Sequence, residues 1–188
     1  MFLDNQNILR LIIEDCKKGK RRSQDELYKG VYAYGMSVCL RYSKTKEEAH
    51  EILNDGMVKV MTKLDKYDYD LSFKAWVRRI LINTAIDSYR KNEKHYNTLD
   101  IAHARTEYTD STSLENLSAQ EIIGAVQQLP PAYKMVFNLY AIEGYKHHEI
   151  AKMLGVTEGT TKSNLAKARM KLQKMLRVMN QEDLGNHG

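Results

Sequence analysis

Proline, cysteine and long apolar runs are scarce in this chain, whose 188 residues include two Pro, two Cys and ten Gly. So few turn formers argue against an all-β fold of many short strands and tight turns. Cys16 and Cys39 stand far apart with no CxxC spacing. That speaks against a disulfide framework or a zinc site and predicts two reduced thiols. The longest uncharged apolar stretch, Ile80 to Ile86, is interrupted by Asn83 and Thr84 and is far too short to span a bilayer. The N-terminus, Met1-Phe2-Leu3-Asp4, lacks the basic-then-apolar order of a signal peptide. These absences together predict a cytoplasmic protein with no direct membrane insertion.

Charge and helical periodicity fill the space that those absences leave. With 43% hydrophobic and 28% charged residues, the composition is that of a soluble globular chain, which excludes a low-complexity disordered one. The net charge of +5 is unevenly placed. From Lys146 to Arg177, eight basic residues face only Glu149 and Glu158, a net of +6. From Leu71 to Lys94, six basic residues face two acidic ones, a net of +4. Between these runs, Tyr96 to Leu117 sets Asp100, Glu107, Asp110 and Glu115 against Arg105, a net of −3. One basic run is as readily a solvated face as a binding surface. Two of them, on separate modules flanking an acidic connector, point to nucleic acid.

Helical signals dominate the chain. An N-terminal helix is predicted over roughly Asn7 to Lys17. Ser23-Gln24-Asp25-Glu26 reads as a capping box opening a helix to about Ser43, with Leu27, Val31, Tyr34, Val38 and Tyr42 on one face. Thr45-Lys46-Glu47-Glu48 is a second capping box. The stripe behind it is Ala49, Ile52, Leu53, Gly56, Met57, Val60, Met61 and Leu64, and the opposite face carries Glu47, His50, Glu51, Asn54, Asp55, Val58 and Lys59. Asp65 to Asp70 reads as a polar, aromatic loop, after which Ser72 caps a long helix to about Lys91. Its predicted inward residues are Phe73, Trp76, Val77, Ile80, Leu81 and Thr84. These four helices share one core, since none of this length is stable alone. From Asn92 to Leu117 no apolar period is sustained, so the stretch reads as a linker. Helix resumes near Ser118, breaks at Leu129-Pro130-Pro131 and restarts over Tyr133 to Ile142, with Val136, Phe137 and Tyr140 inward. The fold class expected is all-α, two small helical domains joined by a flexible acidic linker.

Residues Lys146 to Met175 have the grammar of a helix-turn-helix. A short helix, His147 to Leu154, turns Ile150, Ala151 and Leu154 inward, and Gly155 fits the left-handed position that ends it. Thr157 is a good N-cap for a second helix from Glu158. At 100° per residue, Thr161, Leu165, Ala168, Leu172, Met175 and Leu176 share one arc. Thr160, Ser163, Lys167, Lys171 and Lys174 share the opposite one, with Lys162, Ala166 and Arg169 on the flanks. Hydroxyls and ammonium groups at the start of an exposed helix are what contact base edges and phosphates in a major groove.

Leu129-Pro130, Gly144-Tyr145, Glu149-Ile150-Ala151, Leu154 to Thr160 and Lys162-Ser163 resemble the C-terminal promoter-binding domain of bacterial sigma factors. Phe73 to Ile80 and Asn83 to Asp87 resemble the sigma domain that melts the promoter, and Ala49 to Asp55 its polymerase-binding helix. The order of the blocks, with no room for a third domain between them, is that of the extracytoplasmic-function (group IV, sigma-70-like) factors.

The resemblance implies sigma domain two over 1–92, a linker over 93–117, sigma domain four over 118–180 and a tail over 181–188. It implies a protein that binds RNA polymerase core through the beta-prime coiled coil, with Glu51, Asn54, Asp55 and Lys59 as the matching surface. Recognition of the −10 element falls on Tyr67, Asn83, Asp87, Arg90 and Lys91, with Tyr69 competing for the role of Tyr67. Recognition of the −35 element falls on Thr160, Lys162, Ser163, Ala166 and Lys167. Thr161 stands where the family often has Val and Asn164 where it often has Arg, and Thr161 on the inward arc is expected to weaken packing slightly. Promoter DNA and an anti-sigma factor are the further partners implied.

No catalytic residue, metal ligand or cofactor is expected. The histidines His50, His95, His103, His147 and His148 lack metal-ligand spacing, and Leu154 to Thr161 lacks the GK[ST] of a phosphate loop. Trp76 reads as core in preference to a stacking platform, and the nine Met residues as gap-filling core. A stand-alone regulator with a two-helix DNA reader leaves the Leu71 to Lys94 helix and the acidic connector unexplained. A nucleic-acid-modifying enzyme lacks a convergent acid–base or metal set.

Overall fold

The computed structural model describes residue 3 and residues 5–100 and 124–185. Every element in it is helical, in keeping with the all-α expectation, and the chain divides into two compact units, Met1–Ser88 and Tyr89–Gly188. The first holds α1 (Gln6–Lys17), α2 (Arg21–Cys39), α3 (Lys46–Thr62), a 3-10 turn (Leu64–Lys66) and the start of α4 (Phe73–Asp100).

Local chemistry accounts for the boundaries. The Asn5 side chain caps α1 by accepting from the Ile8 N–H at 3.3 Å. Gly19, at a left-handed φ of 77°, then reverses the chain. That turn brings the Lys20 carbonyl into position to accept from the N–H groups of Ser23 and Gln24. The first turn of α2 is therefore closed before Ser23, and the helix starts at Arg21 instead of at the predicted cap. It also ends early, at Cys39, where Tyr42 and Ser43 donate back to the Cys39 carbonyl in tight turns. Thr45 caps α3 as expected, its hydroxyl accepting from the Glu48 N–H, while the Glu48 carboxylate accepts from the Lys44 N–H at 2.6 Å. The Ser72 hydroxyl caps α4 through the Ala75 N–H at 3.4 Å.

Helix α4 runs to Asp100, well past Lys91 where the sequence pattern ended it. No Gly or Pro occurs between Gly56 and Gly124 to stop it, and a polar helix needs only a nucleus already paid for by the packed part. The rest of the predicted linker, residues 101–117, and the predicted restart near Ser118 lie outside the described residues. The buried face of α4 is also wider than a single stripe. Phe73, Val77, Leu81, Ile82, Thr84, Ala85 and Ile86 are buried, whereas Trp76 and Ile80 are only half-buried.

Helices α2, α3 and α4 meet around Leu53 and Leu81, both fully buried. A Cβ on Gly35 would collide with Leu53, and one on Gly56 with Leu81, so both glycines permit close approach of the helices. Cys16 and Cys39 are buried in this core. Burial pushes the Cys16 thiol up to about 11 and that of Cys39 up to about 12, so both remain protonated and unreactive at neutral pH.

The second unit holds helical residues 124–127, α5 (Pro131–Phe137), a π-helical turn (Asn138–Ile142), α6 (His147–Leu154) and α7 (Glu158–Gly185). Pro131 lies in the first turn of α5, where its missing N–H costs nothing. Ala125, Val126, Leu129, Ala168, Leu172 and Leu176 form one apolar cluster, with Tyr133, Phe137 and Met175 packed against it. Lys134 and Asn138 are buried, while Phe137 and Tyr140, expected inward, are half-buried.

Gly56→Ala gains roughly 1 kcal/mol of helix propensity but overpacks Leu81 at a cost of about 1–3 kcal/mol. The expected net result is a lower urea midpoint for the first unit, read by hydrogen exchange of the α3 amides; an unchanged or raised midpoint would refute the close-approach role.

Candidate nucleic-acid interface

The helix-turn-helix forms as its residues dictate. The Glu149 carboxylate accepts from the Lys146 N–H at 2.8 Å and closes the start of α6. Ile150, Ala151 and Leu154 are buried. Gly155 takes a left-handed φ of 70°, and its N–H and that of Val156 both donate to the Ala151 carbonyl. The Thr157 hydroxyl accepts from the Thr160 N–H at 3.1 Å, capping α7. Thr161, Leu165, Ala168, Leu172 and Leu176 then face the core.

The outward face of α7 presents the −35 residues as a group. Thr160, Lys162, Ser163 and Lys167 are exposed and Ala166 is half-buried. Lys162 lies 3.7 Å from the Glu158 carboxylate, an exposed pair worth little in water. The Thr160 and Thr157 hydroxyls are 2.9 Å apart.

Aromatic rings on the preceding elements support the cations. The ammonium groups of Lys167 and Lys171 lie 5.9 and 6.0 Å from the Tyr133 ring centroid. The Arg169 guanidinium lies 5.8 Å from that of Tyr140. The sequence pattern assigned Tyr140 to the core and did not single out Tyr133 as a support.

Thr161 does not weaken the packing as expected. It is fully buried, and its hydroxyl donates to the Glu158 carbonyl at 2.8 Å. Its oxygen lies 3.0 Å from Nδ1 of His147. The Thr161 hydroxyl therefore bridges the Glu158 carbonyl and the His147 ring. The ring also stacks on Tyr140, centroids 4.6 Å apart and 24° between planes. His147 and Thr161 thus cross-link the two helices of the motif, a pairing that neither residue advertises alone.

In the first unit, Glu51, Asn54 and Asp55 are exposed on α3 and Lys59 is half-buried. The Asn54 side-chain oxygen accepts from the Tyr28 hydroxyl at 2.8 Å, and the Tyr32 hydroxyl lies 3.2 Å from Nε2 of His50. Burial raises the Tyr28 phenol. On α4, Asn83, Asp87, Arg90 and Lys91 are exposed, the first three at i, i+4, i+7 spacing. Lys59 pairs with Asp87 at 2.9 Å, so the α3 and α4 sets meet.

Tyr67 is the exception among the −10 residues. It is buried, and its hydroxyl donates to the Leu71 carbonyl at 2.6 Å. Its ring centroid lies 5.2, 5.1 and 5.3 Å from those of Tyr69, Phe73 and Trp76. A loop this short has few apolar groups to fold on, so its aromatics fold on each other. In this conformation Tyr67 presents no face on which a base can stack. Trp76, half-buried, belongs to the same cluster. Tyr69, the competitor, is half-buried, and its hydroxyl donates to Glu14 at 2.7 Å. Leu71, 58% exposed, is the apolar residue that the loop does present.

Among the described residues, no group of three His, Cys, Asp or Glu is placed to hold a metal ion, and no helix is long and apolar enough to cross a membrane.

The family model Sigma-70 region 2 matches residues 27–95, and Sigma-70, region 4 matches residues 119–172. The chain is similar to the ECF RNA polymerase sigma factor SigM of Mycobacterium tuberculosis, 27% identical over 86% of this chain and 81% of the relative. It is also similar to the ECF RNA polymerase sigma factor SigW of Bacillus subtilis, 28% identical over 89% of this chain and 97% of the relative. Among solved structures it is similar to the sigma factor RpoE of Bartonella quintana, crystallised with the anti-sigma factor NepR, at a TM-score of 0.48 and 22% identity over 82% of this chain and 96% of that one. The chain belongs to the sigma-70-like sigma factors of the extracytoplasmic-function group, which direct RNA polymerase to promoters.

Thr161→Val keeps the shape and removes both hydroxyl bonds. The expected cost is about 1 kcal/mol of local stability, seen as faster hydrogen exchange in α6 and the start of α7; unchanged exchange would mean that the cross-link holds nothing.

Proposed function

We propose that the two units divide promoter recognition between them, and that the chain contributes no chemistry of its own. The observation that carries this reading is the outward row of α7, Thr160, Lys162, Ser163 and Lys167, presented by a capped, cross-linked helix-turn-helix. That helix enters the major groove at the −35 element. Lys162 and Lys167 meet phosphates and base edges, Ser163 bonds a base edge, and Ala166 offers a methyl contact, for instance to thymine. Thr160, beside the amino end of the helix, lies on phosphate.

On α4, Asn83 pairs with the edge of an unstacked base of the non-template strand, with Asp87 beside it and Arg90 and Lys91 on the backbone. Tyr67 supports the loop from beneath and does not stack on DNA. The exposed face of α3, with Glu51, Asn54, Asp55 and Lys59, takes the beta-prime coiled coil of core polymerase, to which an acidic, amide-bearing surface is complementary if that coil is basic. The acidic connector suits basic channel walls in the polymerase. An anti-sigma factor is the regulator that the family implies, and the cytoplasm is where such a chain meets polymerase and DNA.

The test is run-off transcription with purified core polymerase and genomic template, followed by mapping of start sites; no specific start with the chain present would overturn the reading. Lys162→Ala with Lys167→Ala is expected to weaken holoenzyme binding to −35 DNA about tenfold or more while sparing core affinity. Equal loss of both in a pull-down would contradict the partition. Asp55→Arg is expected to lower core affinity first, and unchanged core affinity would remove the α3 face from the proposal.

A further inference from the structure

The α1–α2 junction carries five cations within residues 17–22, Lys17, Lys18, Lys20, Arg21 and Arg22, broken only by Gly19. Nearby acids are largely engaged. Glu14 pairs with Lys17 at 3.0 Å, Asp15 with Lys20 at 2.9 Å and Asp25 with Lys29 at 2.7 Å, leaving Glu26 exposed further along α2. Lys18, Arg21 and Arg22 are exposed and form no ion pair among the described residues. Their placement works against the fold. Arg21 and Arg22 open α2, which has no acidic residue in its first turn and no side-chain cap. Cations at that end of a helix oppose its dipole.

The same junction is tied to the loop before α4. The Tyr69 hydroxyl donates to the Glu14 carboxylate at 2.7 Å and accepts from Lys17 at 3.3 Å. Arg10 lies 4.9 Å and Lys17 5.2 Å from the Tyr69 ring centroid. Hydrogen bonding from Tyr69, then from Lys17, holds the Glu14 carboxyl below its ordinary range, so it is ionised and the clasp is closed at neutral pH. Burial, then the Glu14 carboxylate, raises the Tyr69 phenol, which keeps its proton.

We propose that the α1–α2 junction is a second grip on the promoter, binding the phosphate backbone of the unstacked strand beside the −10 loop through Lys18, Arg21 and Arg22, with Tyr69 positioning loop and junction relative to each other. This rests on the reading of α4 and its loop as the −10 surface. A nucleic-acid backbone is favoured over a protein partner because the half-buried contact of Tyr69 with Glu14 and Lys17 ties the cation-bearing junction to the loop that leads into α4.

The experiment measures binding of reconstituted holoenzyme to forked promoter DNA with a single-stranded −10 non-template strand, across a salt series. Lys18→Ala with Arg21→Ala and Arg22→Ala is expected to weaken binding about tenfold or more and to flatten the log–log salt slope by about 2, three phosphate contacts at about 0.7 each. Duplex carrying only the −35 element should bind as before. The variant should melt no lower than the parent, because the replaced groups oppose the dipole. Tyr69→Phe is expected to weaken forked-DNA binding with the slope intact, as a positioning residue would. An unchanged slope in the triple variant overturns the proposal, and so does a loss confined to core affinity, which would assign the junction to a protein partner. Tyr69→Phe without effect removes the coupling, and the proposal with it. Asn83→Ala separates the two levels: a loss there beside an intact triple variant leaves the −10 reading standing and this inference refuted, whereas no loss in either refutes the −10 reading itself.

Discussion

The close approach of α2, α3 and α4 at Gly35 and Gly56 is the constraint on which the first unit depends. Leu53 and Leu81 fill the space that two missing side chains leave, and both are fully buried. Each glycine costs about 0.5–1 kcal/mol of helix stability, while each leucine buried returns roughly 1.5–3 kcal/mol. The exchange favours the packed state, and it also fixes rotation. With Gly56 and Leu53 inward, a helix of 3.6 residues per turn must carry Glu51, Asn54 and Asp55 outward. With Leu81 and Thr84 inward, α4 must carry Asn83 and Asp87 outward. The proposed polymerase and −10 faces are therefore consequences of these two packing contacts.

In the second unit the corresponding constraint is the left-handed turn at Gly155 followed by the Thr157 cap. It sets the direction in which α7 leaves α6, and the His147–Thr161 bond locks the pair. The cations on the outer arc rest on Tyr133 and Tyr140 and pair weakly, if at all, with acids. Exposed pairs of this kind contribute about 0–1 kcal/mol, so exchanging them for phosphate costs little. A rigid helix with loosely held charges combines shape selection with rapid, salt-dependent encounter.

Much of this was readable from the residues, for reasons that also mark the limit. The stripes of α3 and α7, the Thr45 and Thr157 caps and the Gly155 stop are local signals, each contained within one element or its end. Most of the misreadings depend on residues outside the pattern being read. Ser23 lost its cap position to a turn set by Gly19. Helix α4 outran its apolar period because nothing in the sequence stops it. Tyr67 looked like a free loop aromatic, yet Phe73 and Trp76, from the next element, enclose it. Thr161 looked like a packing defect until His147, fourteen residues earlier, supplied its partner. Lys134 would be assigned to solvent on residue type alone and is buried.

Local rules are broken at particular places, and their distribution is itself informative. A helix opened by two arginines and a half-exposed apolar loop tip at Leu71 both lower the stability or solubility of the isolated chain. Both lie beside surfaces proposed above for DNA, although exposed Leu11 and Val58 and buried Lys134 break the same rules elsewhere. At the junction a polyanionic partner relieves the conflict, because charges that repel one another or oppose a helix dipole in the free protein are neutralised when phosphate arrives. The strain in the unbound state then favours the complex, and the stability forgone at the junction is recovered in binding.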